Sequence, residues 1–251
     1  MTNVSLCSIG YEMFVLETRV DAAEGERCRK ALVDGAKRAP ALDEKDGREA
    51  ERHGRGEKND RMKTRVTIVF AEPVDLQRVL GLMSREVAKF DVLALEPTSA
   101  KAFASACANK HADLVTIRAN ARLPYKFTSA NVKLAVTNKI SFEVSYVEAL
   151  KDSAARVYFF SNAAALVRAT RGGRELFIIS SGATRAMDMR SMHDVVNLAT
   201  FFGMTEHAAR AAMTTNVHAM LALSARRRNA EWSESRVERM DVDAVAAAEG
   251  A

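Results

Sequence analysis

The chain lacks the sequence features that identify most secreted and membrane-spanning proteins. Its three cysteines, Cys7, Cys28 and Cys107, are far apart and form no CxxC pair. A disulfide framework is therefore not expected, and this cysteine usage is typical of a reducing compartment. No apolar run reaches the ~18 residues that suggest a membrane span, so we expect no membrane partner. The first residues also lack the basic segment that opens a secretory signal peptide.

The sequence also lacks the short motifs that mark common catalytic sites. Its five histidines form neither HxH nor HExxH, and a hydrolytic metal centre needs several converging ligands. Neither the GxSxG motif of a serine nucleophile nor the GxGxxG motif of a dinucleotide site is present. We therefore predict no catalytic residue, no metal site and no cofactor.

Positive charge is concentrated in one part of the chain, whose overall net charge is +5. Residues 63–228 contain 23 Lys and Arg against 13 Asp and Glu, a net charge of +10. Residues 21–61 are balanced, and residues 231–251 are acidic. This distribution favours a polyanionic partner, with nucleic acid first, and an ordinary basic surface is the alternative.

Composition divides the chain into four segments. Residues 1–20 form an N-terminal fragment of the fold. Residues 21–62 are rich in charge and poor in large apolar residues, so they cannot bury enough surface to offset their ordering entropy, and we predict a disordered insert. Residues 63–225 form the main part of the fold, and residues 226–251 are predicted to be a flexible tail.

Strands alternate with helices through the main segment. Nearly continuous apolar runs predict strands over 64–70, 91–97, 113–118, 140–146 and 175–180. Helices are predicted over 74–89, after a cap at Thr98, and over 131–137, 152–168 and 193–202. Strands separated by helices imply a parallel sheet, and their apolar character implies that both faces are covered. A (β/α) barrel fits this pattern best, and an open doubly wound sheet is the alternative.

Two features after or within the predicted strands resemble parts of an active site. Glu143 lies inside the strand FEVSY and is predicted to be desolvated, so it needs a partner, which Arg156 or another arginine from a neighbouring element would supply. A general base is the functional alternative for Glu143. Ser180 and Ser181 follow a strand, and we interpret them as turn residues that satisfy backbone groups rather than as nucleophiles.

Basic residues follow several predicted strands, at the end of a barrel where working groups are usually placed. Several cations on one face form a platform for a phosphate backbone. Tyr125 and Phe127 flank one of them and either stack on bases or pack in the protein. The run from Arg226 to Arg228 has three interpretations: an RNA contact, a nuclear-import signal or a solvated helix end. The predicted RNA-binding residues are Arg118, Arg122, Lys126, Lys151, Arg156, Arg185 and Arg190.

Several short motifs occur in a distinctive order along the chain. They are Phe142 to Tyr146, Lys151 to Ser153 with Arg156, Ser161 to Ala163, Ile179 to Ala183, Arg190, Asp194 with Val195, Asn197 with Leu198, Phe202 with Gly203, and Asn216. In order and spacing they resemble the thirty-kilodalton, TIM-barrel-like protein subunit family of ribonuclease P and ribonuclease MRP. The resemblance covers residues 10–20 and 63–223. Its structural-motif positions here are Glu143, Ser180, Ser181, Asp194, Asn197 and Asn216.

The resemblance implies a TIM-barrel-like (β/α) barrel of the PHP (polymerase and histidinol phosphatase) type. It also implies a non-catalytic protein that binds a catalytic RNA and supports 5′ leader removal from precursor tRNA. The implied partners are the ribonuclease P or MRP RNA, precursor tRNA indirectly, and a smaller ribonuclease P protein subunit. The implied location is the nucleus, and within it the nucleolus. The alternatives are a PHP-type metal-dependent phosphoesterase and a generic α/β scaffold without an RNA role.

The chain departs from the family pattern in two places. Where the family has Arg-Gly-Pro-(Tyr)-Asp, this chain has Arg190, Ser191, Met192, His193 and Asp194. The family opens with an aspartate-bearing strand and a first helix, whereas here Met1 falls at the end of that helix and Gly10 begins the second strand. The barrel is therefore expected to lack its first strand and helix, and we expect an earlier start codon or an upstream exon to supply them.

Overall fold

The computed structural model describes residues 2–5, 14–25, 27–35, 62–174 and 176–228, and a single sheet runs through them. The strands adjoin in chain order; β1 is antiparallel to β2, and every later pair is parallel. The strands are β1 Thr2–Ser5, β2 Phe14–Asp21, β3 Met62–Phe70, β4 Val92–Pro97, β5 Leu114–Ile117, β6 Ser141–Ser145 and β7 Phe177–Ser180.

Helices connect the parallel strands, because a crossover is needed to return the chain to the same end of the sheet. None of the helices in the described ranges is long and apolar enough to cross a membrane. Short 3₁₀ helices occupy Ala22–Glu24 and Ala186–Asp188. The α-helices are α1 27–35, α2 Pro73–Leu82, α3 Ser84–Val87, α4 Ala100–Ala108, α5 Ser129–Thr137, α6 Val147–Lys151, α7 Ser153–Ala169, α8 Met192–Phe201, α9 Glu206–Met213 and α10 215–228.

The alternation of strands and helices confirms the predicted parallel α/β architecture. Within the described residues β7 pairs only with β6, so the strands do not close into a barrel. Arg65 of β3 and Glu143 of β6 nevertheless hydrogen-bond at 2.7 Å, although β4 and β5 lie between their strands. In a flat sheet those strands would be ~14 Å apart, so the contact indicates the strong curvature of an incomplete barrel.

Polar side chains at the N-cap positions set where the helices begin. Asp152 accepts a hydrogen bond from the Ala155 amide and starts α7, as predicted. The predicted cap of α4 was wrong by one position, because Ser99 accepts from the Ala102 amide. The Thr98 hydroxyl instead donates to the carbonyl oxygen of Phe70 and ties the end of β4 to the end of β3.

The two faces of the sheet carry two separate apolar clusters. The convex face and its helices form the large one, to which the strands contribute Val66, Ile68, Leu93, Leu95, Val115, Phe142, Val144 and Phe177. The concave face carries a small cluster where the strands begin, formed by Val92, Ala94, Leu114, Ile178 and Met220. Since Met220 belongs to α10, that helix covers the concave face at this end of the sheet.

Polar contacts fix α10 against the beginnings of the strands. Asn216 donates its Nδ2 to the carbonyl oxygen of Phe177 at 2.9 Å. The Arg227 guanidinium binds Asp113 through Nε at 3.0 Å and Nη2 at 2.6 Å, and Arg228 pairs with Asp91 at 2.9 Å. The predicted tail therefore starts too early, because residues 226–228 belong to a packed helix. Residues 229–251 lie outside the described residues.

The predicted disordered insert 21–62 also starts too early. Its first part forms a 3₁₀ helix and α1, in which Cys28 and Leu32 are 2% and 0% exposed. These two residues are one helical turn apart, and they pack into the main core in spite of the charged residues around them. The remaining charged residues, 36–61, lie outside the described residues.

The N-terminal residues differ from the expectation drawn from the family. Residues expected to end a helix form β1, which pairs with β2 from Thr2 opposite Thr18 to Ser5 opposite Val15. A strand therefore covers the edge of β2, although the barrel was expected to lack its first strand. Met1 and residues 6–13 lie outside the described residues.

We predict that Asp113→Asn lowers the free energy of unfolding by about 3 kcal/mol, since it removes the charge that pairs with Arg227 in a buried position. Asp113 also accepts from the Leu93 amide at 2.8 Å, so the neutral amide weakens the hold on the beginning of β4 as well. Urea denaturation measures the loss. The matched control is Glu206→Gln, whose exposed pair with Arg210 is worth about 0.5 kcal/mol. Equal losses in the two variants would contradict the role assigned to α10.

Candidate functional site

The concave face above the apolar cluster carries charged side chains from neighbouring strands. Three arginines and three glutamates point into this space, so the group is neutral overall. Because parallel strands present alternate residues to one face, the sequence spacing places these side chains together. We call this group the interior charge cluster; it consists of Glu17, Arg19, Arg65, Glu96, Arg118 and Glu143.

Arg65 and Glu143 form the centre of the cluster. Their side chains are 10% and 3% exposed, and Nη1 of Arg65 lies 2.7 Å from Oε1 of Glu143. The Arg65 guanidinium also donates to the hydroxyls of Thr67 at 2.9 Å and Thr116 at 2.7 Å. Those hydroxyls in turn donate to Glu17 at 2.5 Å and Glu143 at 2.7 Å. Each of the three guanidinium nitrogens of Arg65 is thus directed at a fixed acceptor.

Pairing outweighs burial for both central charges. Burial raises the pKa of Glu143. The charge of Arg65 and hydrogen bonds from Arg65, Thr116 and Ser180 lower this pKa by more, so it lies below its ordinary value. Burial likewise lowers the pKa of Arg65, and Glu143 with Glu17 raises it by more. A carboxylate with a depressed pKa that already binds a guanidinium is a poor general base. The geometry therefore favours a structural ion pair for Glu143.

The partner of Glu143 is Arg65 rather than Arg156. The prediction of an arginine partner is correct, but Arg65 lies on β3, which does not neighbour β6, and the suggestion of Arg156 was wrong. Arg156 instead donates its Nε to the carbonyl oxygen of Ala149 at 2.9 Å, which holds α6 against α7. Arg65 lies 78 positions before Glu143, and no local pattern in the sequence connects them.

Glu96 forms the second centre of the cluster. Its side chain is 1% exposed, and it lies 2.5 Å from Nη2 of Arg19 and 3.0 Å from Nε of Arg118. Burial raises the pKa of Glu96, and the two arginines lower it without cancelling the effect. Arg118, predicted to bind RNA, is half exposed but already pairs with a buried carboxylate.

The serines after β7 bond within the protein. The hydroxyl oxygens of Ser180 and Ser145 are 2.9 Å apart, which joins the ends of β7 and β6. The Ser181 hydroxyl accepts from the Ala183 amide at 3.3 Å, as expected of a turn residue. Gly182, between them, has a φ of 59° and lies against the side chain of Ser145, where any larger residue would clash.

The loop that follows these serines is held by the two arginines predicted to bind RNA from it. Arg185 binds both carboxylate oxygens of Asp188, at 3.1 and 3.0 Å. Arg190 donates Nη1 to the carbonyl oxygens of Met187 and Met189, at 3.0 and 3.1 Å. Both guanidinium groups therefore have partners inside their own loop.

The departure from the family pattern after Arg190 creates a helix cap. Ser191 accepts from the amide of Asp194 at 3.2 Å and donates to its carboxylate at 2.8 Å, which starts α8. Asn197 is exposed on α8, and its carbonyl oxygen accepts from the Thr200 hydroxyl. The motif residues Asp194 and Asn197 thus lie on one helix, whereas Asn216 is buried against β7.

Arg122 and Lys126 line a groove between the loop after β5 and helix α7. The groove has a volume of about 480 Å³, and Arg168 of α7 forms part of its opposite wall. Sequence reasoning did not find Arg168, because its approach to the loop is a tertiary contact. Lys151 ends α6, and the position of its side chain is not among the described features.

The aromatic residues beside Lys126 pack in the protein. The ring of Tyr125 stacks on Phe103 with centroids 4.8 Å apart, and Phe127 meets both rings edge-on. Tyr125 is 8% exposed, and burial raises its pKa. The packing interpretation is therefore correct for Tyr125, whereas Phe127 is only half buried and borders the groove.

The polar side chains of the concave face do not fit a metal site. Across the ranges that the structure describes, no group of three or more His, Cys, Asp or Glu residues could hold a metal ion. Glu17, Glu96 and Glu143 face the same space, but each lies within 3.5 Å of a guanidinium nitrogen that neutralises it. The described residues of this face therefore supply arginine–glutamate pairs, whereas a PHP-type metal-dependent phosphoesterase needs several converging metal ligands.

We predict that Glu143→Gln and Arg65→Met each lower the free energy of unfolding at pH 7 by about 3 kcal/mol, because each leaves a buried charge unpaired. The double variant should lose less than the sum, since neither member of the central pair is then left as a buried charge without the other. Strict additivity in urea denaturation would contradict the pairing.

The depressed pKa of Glu143 also makes the stability of the protein depend on pH. The contribution of Glu143 to the free energy of unfolding is complete at pH values above its ordinary pKa of 4.5. That contribution is lost as the pH falls through the lower pKa of the folded protein.

Comparison with known proteins connects these features to one family. The chain is 35% identical over 157 residues to ribonuclease P protein subunit p30 of Mus musculus, covering 62% of this chain and 58% of that protein. It is 31% identical over 166 residues to the probable ribonuclease P protein subunit 3 of Schizosaccharomyces pombe, covering 66% of this chain and 68% of the relative. The match thus spans less than two thirds of the mouse protein.

A solved structure shares the fold. A chain of the cryo-EM structure of archaeal ribonuclease P with mature tRNA aligns with a TM-score of 0.55 over 86% of this chain and 83% of its own length, at 11% identity. This likeness confirms the predicted TIM-barrel-like fold, and the PHP type stays a prediction. The family described as RNase P subunit p30 matches residues 4–229. The chain therefore belongs to the RNase P subunit p30 family.

Proposed function

We propose that this protein is a non-catalytic subunit of ribonuclease P, which supports 5′ leader removal from precursor tRNA by binding the catalytic RNA and partner proteins. The observation that carries the proposal is the family match over residues 4–229, which includes nearly all of the described fold. Relatives in Mus musculus and Schizosaccharomyces pombe carry the name of ribonuclease P subunits. Precursor tRNA is then an indirect partner.

The interior of the fold supports a non-catalytic role. The position where a barrel enzyme holds its working groups is filled here by arginine–glutamate pairs that neutralise one another. A catalytic group needs a free lone pair or an exchangeable proton at the substrate. Glu143 and Glu96 are 2% and 1% exposed and already bonded, so they offer neither.

The excess positive charge supports RNA as the main partner. Residues 63–228 carry a net charge of +10, and the interior charge cluster contributes nothing to it because its charges cancel. The excess therefore resides outside the concave face, where it lowers the cost of approaching a phosphate backbone. Among the predicted contacts, Arg122 and Lys126 are exposed and have no partner among the described residues.

The wider assembly follows from the family and is part of the proposal. We propose a smaller ribonuclease P protein subunit as a direct partner, association with the RNA of ribonuclease P, of ribonuclease MRP or of both, and a location in the nucleus and its nucleolus. A fluorescent fusion of the full chain, viewed beside a nucleolar marker, tests the location, and exclusion from the nucleus would contradict it.

We expect a tagged full-length chain, purified from its own cells, to recover a ribonuclease P or MRP RNA together with other protein subunits. Sequencing of the bound RNA and mass spectrometry of the bound proteins identify both, and the RNA species decides between the two complexes. Recovery of proteins without a structured RNA would favour the generic α/β scaffold.

We also expect the purified chain alone to leave precursor tRNA uncut, whereas the recovered complex removes the 5′ leader. Treating the complex with a nuclease that destroys its RNA before adding substrate should abolish leader removal if the RNA is the catalyst. Cleavage by the RNA-free chain, together with stoichiometric metal by elemental analysis, would instead support the phosphoesterase alternative.

A further inference from the structure

Apart from Lys151, whose side chain lies outside what the structure describes, the cations predicted to bind RNA fall into two groups. Four of them already have partners inside the protein: Arg118 with Glu96, Arg156 with Ala149, Arg185 with Asp188, and Arg190 with two carbonyl oxygens. Arg122 and Lys126, by contrast, make no hydrogen bond or ion pair with any residue that the structure describes. Charge that is not used internally is the charge available to a ligand.

A third cation without a partner in the described ranges faces these two. Arg168 projects from α7 into the groove whose other wall carries Arg122 and Lys126, and all three residues are exposed. We call this feature the cationic groove, formed by Arg122, Lys126, Phe127, Asn162 and Arg168. Its three positive charges repel one another, and none of the described residues that line the groove is acidic, so an anion bound between the cations is stabilised by all three.

The cationic groove also has apolar lining residues. Phe127 borders it as a half-buried ring, and Ala165 and Ala169 line the side formed by α7. A groove with cations on both walls and an aromatic ring in its lining matches an unpaired stretch of RNA, whose phosphates meet the cations while a base stacks on the ring. An A-form duplex keeps its bases stacked and cannot use the ring.

Both walls of the cationic groove are held in place without a ligand. Asn162 of α7 donates Nδ2 to the carbonyl oxygens of Ala119 and Ala121, at 3.0 and 2.8 Å, and ties the loop after β5 to the helix. The Tyr125 ring, stacked on Phe103, anchors the same loop to the core. Binding therefore costs little ordering of the backbone.

We propose that the cationic groove binds a single-stranded segment of RNA through Arg122, Lys126 and Arg168, with one base on Phe127. This inference rests on the proposed function and specifies where one contact with RNA is made. It includes Arg168, which the sequence did not indicate, and it leaves out Arg185 and Arg190, whose guanidinium groups hold their own loop.

The test compares two triple variants of the full chain that each remove three positive charges. The groove variant is Arg122→Gln, Lys126→Gln, Arg168→Gln. The matched control is Arg29→Gln, Arg85→Gln, Lys110→Gln, on α1, on α3 and before β5; these residues are exposed and have no partner within the described residues. Because all six side chains are exposed, we expect both variants to fold as the wild type does, and thermal melting checks this.

Binding is measured by fluorescence anisotropy with a labelled oligouridine of about 12 nucleotides, within the site sizes of single-strand binders. The groove variant should bind roughly 10- to 100-fold more weakly, and its slope of log K against log salt should be shallower by about 2, for three lost phosphate contacts. The control variant should stay close to wild type. Equal losses in the two variants would overturn the proposal.

A further variant tests the role of the Phe127 ring in the groove. Phe127→Leu keeps the packing against Phe103 and the charge but removes the ring face, so the affinity for oligouridine should fall about fivefold or more with an unchanged salt slope. Unchanged affinity would overturn the assigned base contact. Stronger binding of an RNA duplex or of an acidic peptide of equal charge than of oligouridine would overturn the assignment to single-stranded RNA.

The outcome for the groove is separable from the outcome for the proposed function. If the tagged wild type recovers ribonuclease P RNA and both triple variants bind oligouridine equally, the groove proposal fails and the function stands. If the wild type recovers no ribonuclease P or MRP RNA, the function fails, whatever the groove variants do with oligouridine.

Discussion

The ion pair between Arg65 and Glu143 is the constraint on which the rest of the interior depends. It joins β3 to β6 across the concave face, and it is buried, so neither charge can be lost without stranding the other. The threonines beside it complete the hydrogen bonding of the guanidinium. A second pair of contacts, around Glu96, fills the space next to it. Polar groups in the centre of this barrel-like fold thus serve its shape, and the surface is left to serve its function.

The interior and the surface therefore divide the arginines of the chain between two roles. Counting charge along the sequence treats every arginine as available to a ligand. In the structure several arginines instead bind buried carboxylates or loop carbonyl oxygens, and Arg227 holds α10 through Asp113. Some of these assignments are short-range, such as Arg185 with Asp188 three positions later. Availability is thus a stricter criterion than charge, and it selects the groove beside α7.

Much of the fold could be predicted because its signals are local. Apolar runs located all the strands from β3 onward, and side-chain caps such as Asp152 located the helix starts. The partner of Glu143 could not be predicted, since curvature of the sheet brings Arg65 to it from 78 positions away. Helix α1 was missed because two buried residues, Cys28 and Leu32, are outnumbered by charged neighbours. The opposite wall of the cationic groove, Arg168, depends on how α7 packs.

The position of α10 has a consequence for the order in which the molecule assembles. The Ser224 hydroxyl bonds to the backbone of Asp91, 133 positions earlier, so the last described helix completes a surface whose strands emerge from the ribosome long before it. Until then Val92, Ala94, Leu114 and Ile178 lack the α10 side chains that pack on them in the described part of the chain. Contacts of such long range slow folding and leave apolar surface open to other chains. The nascent protein is thus most vulnerable to aggregation before α10 is made.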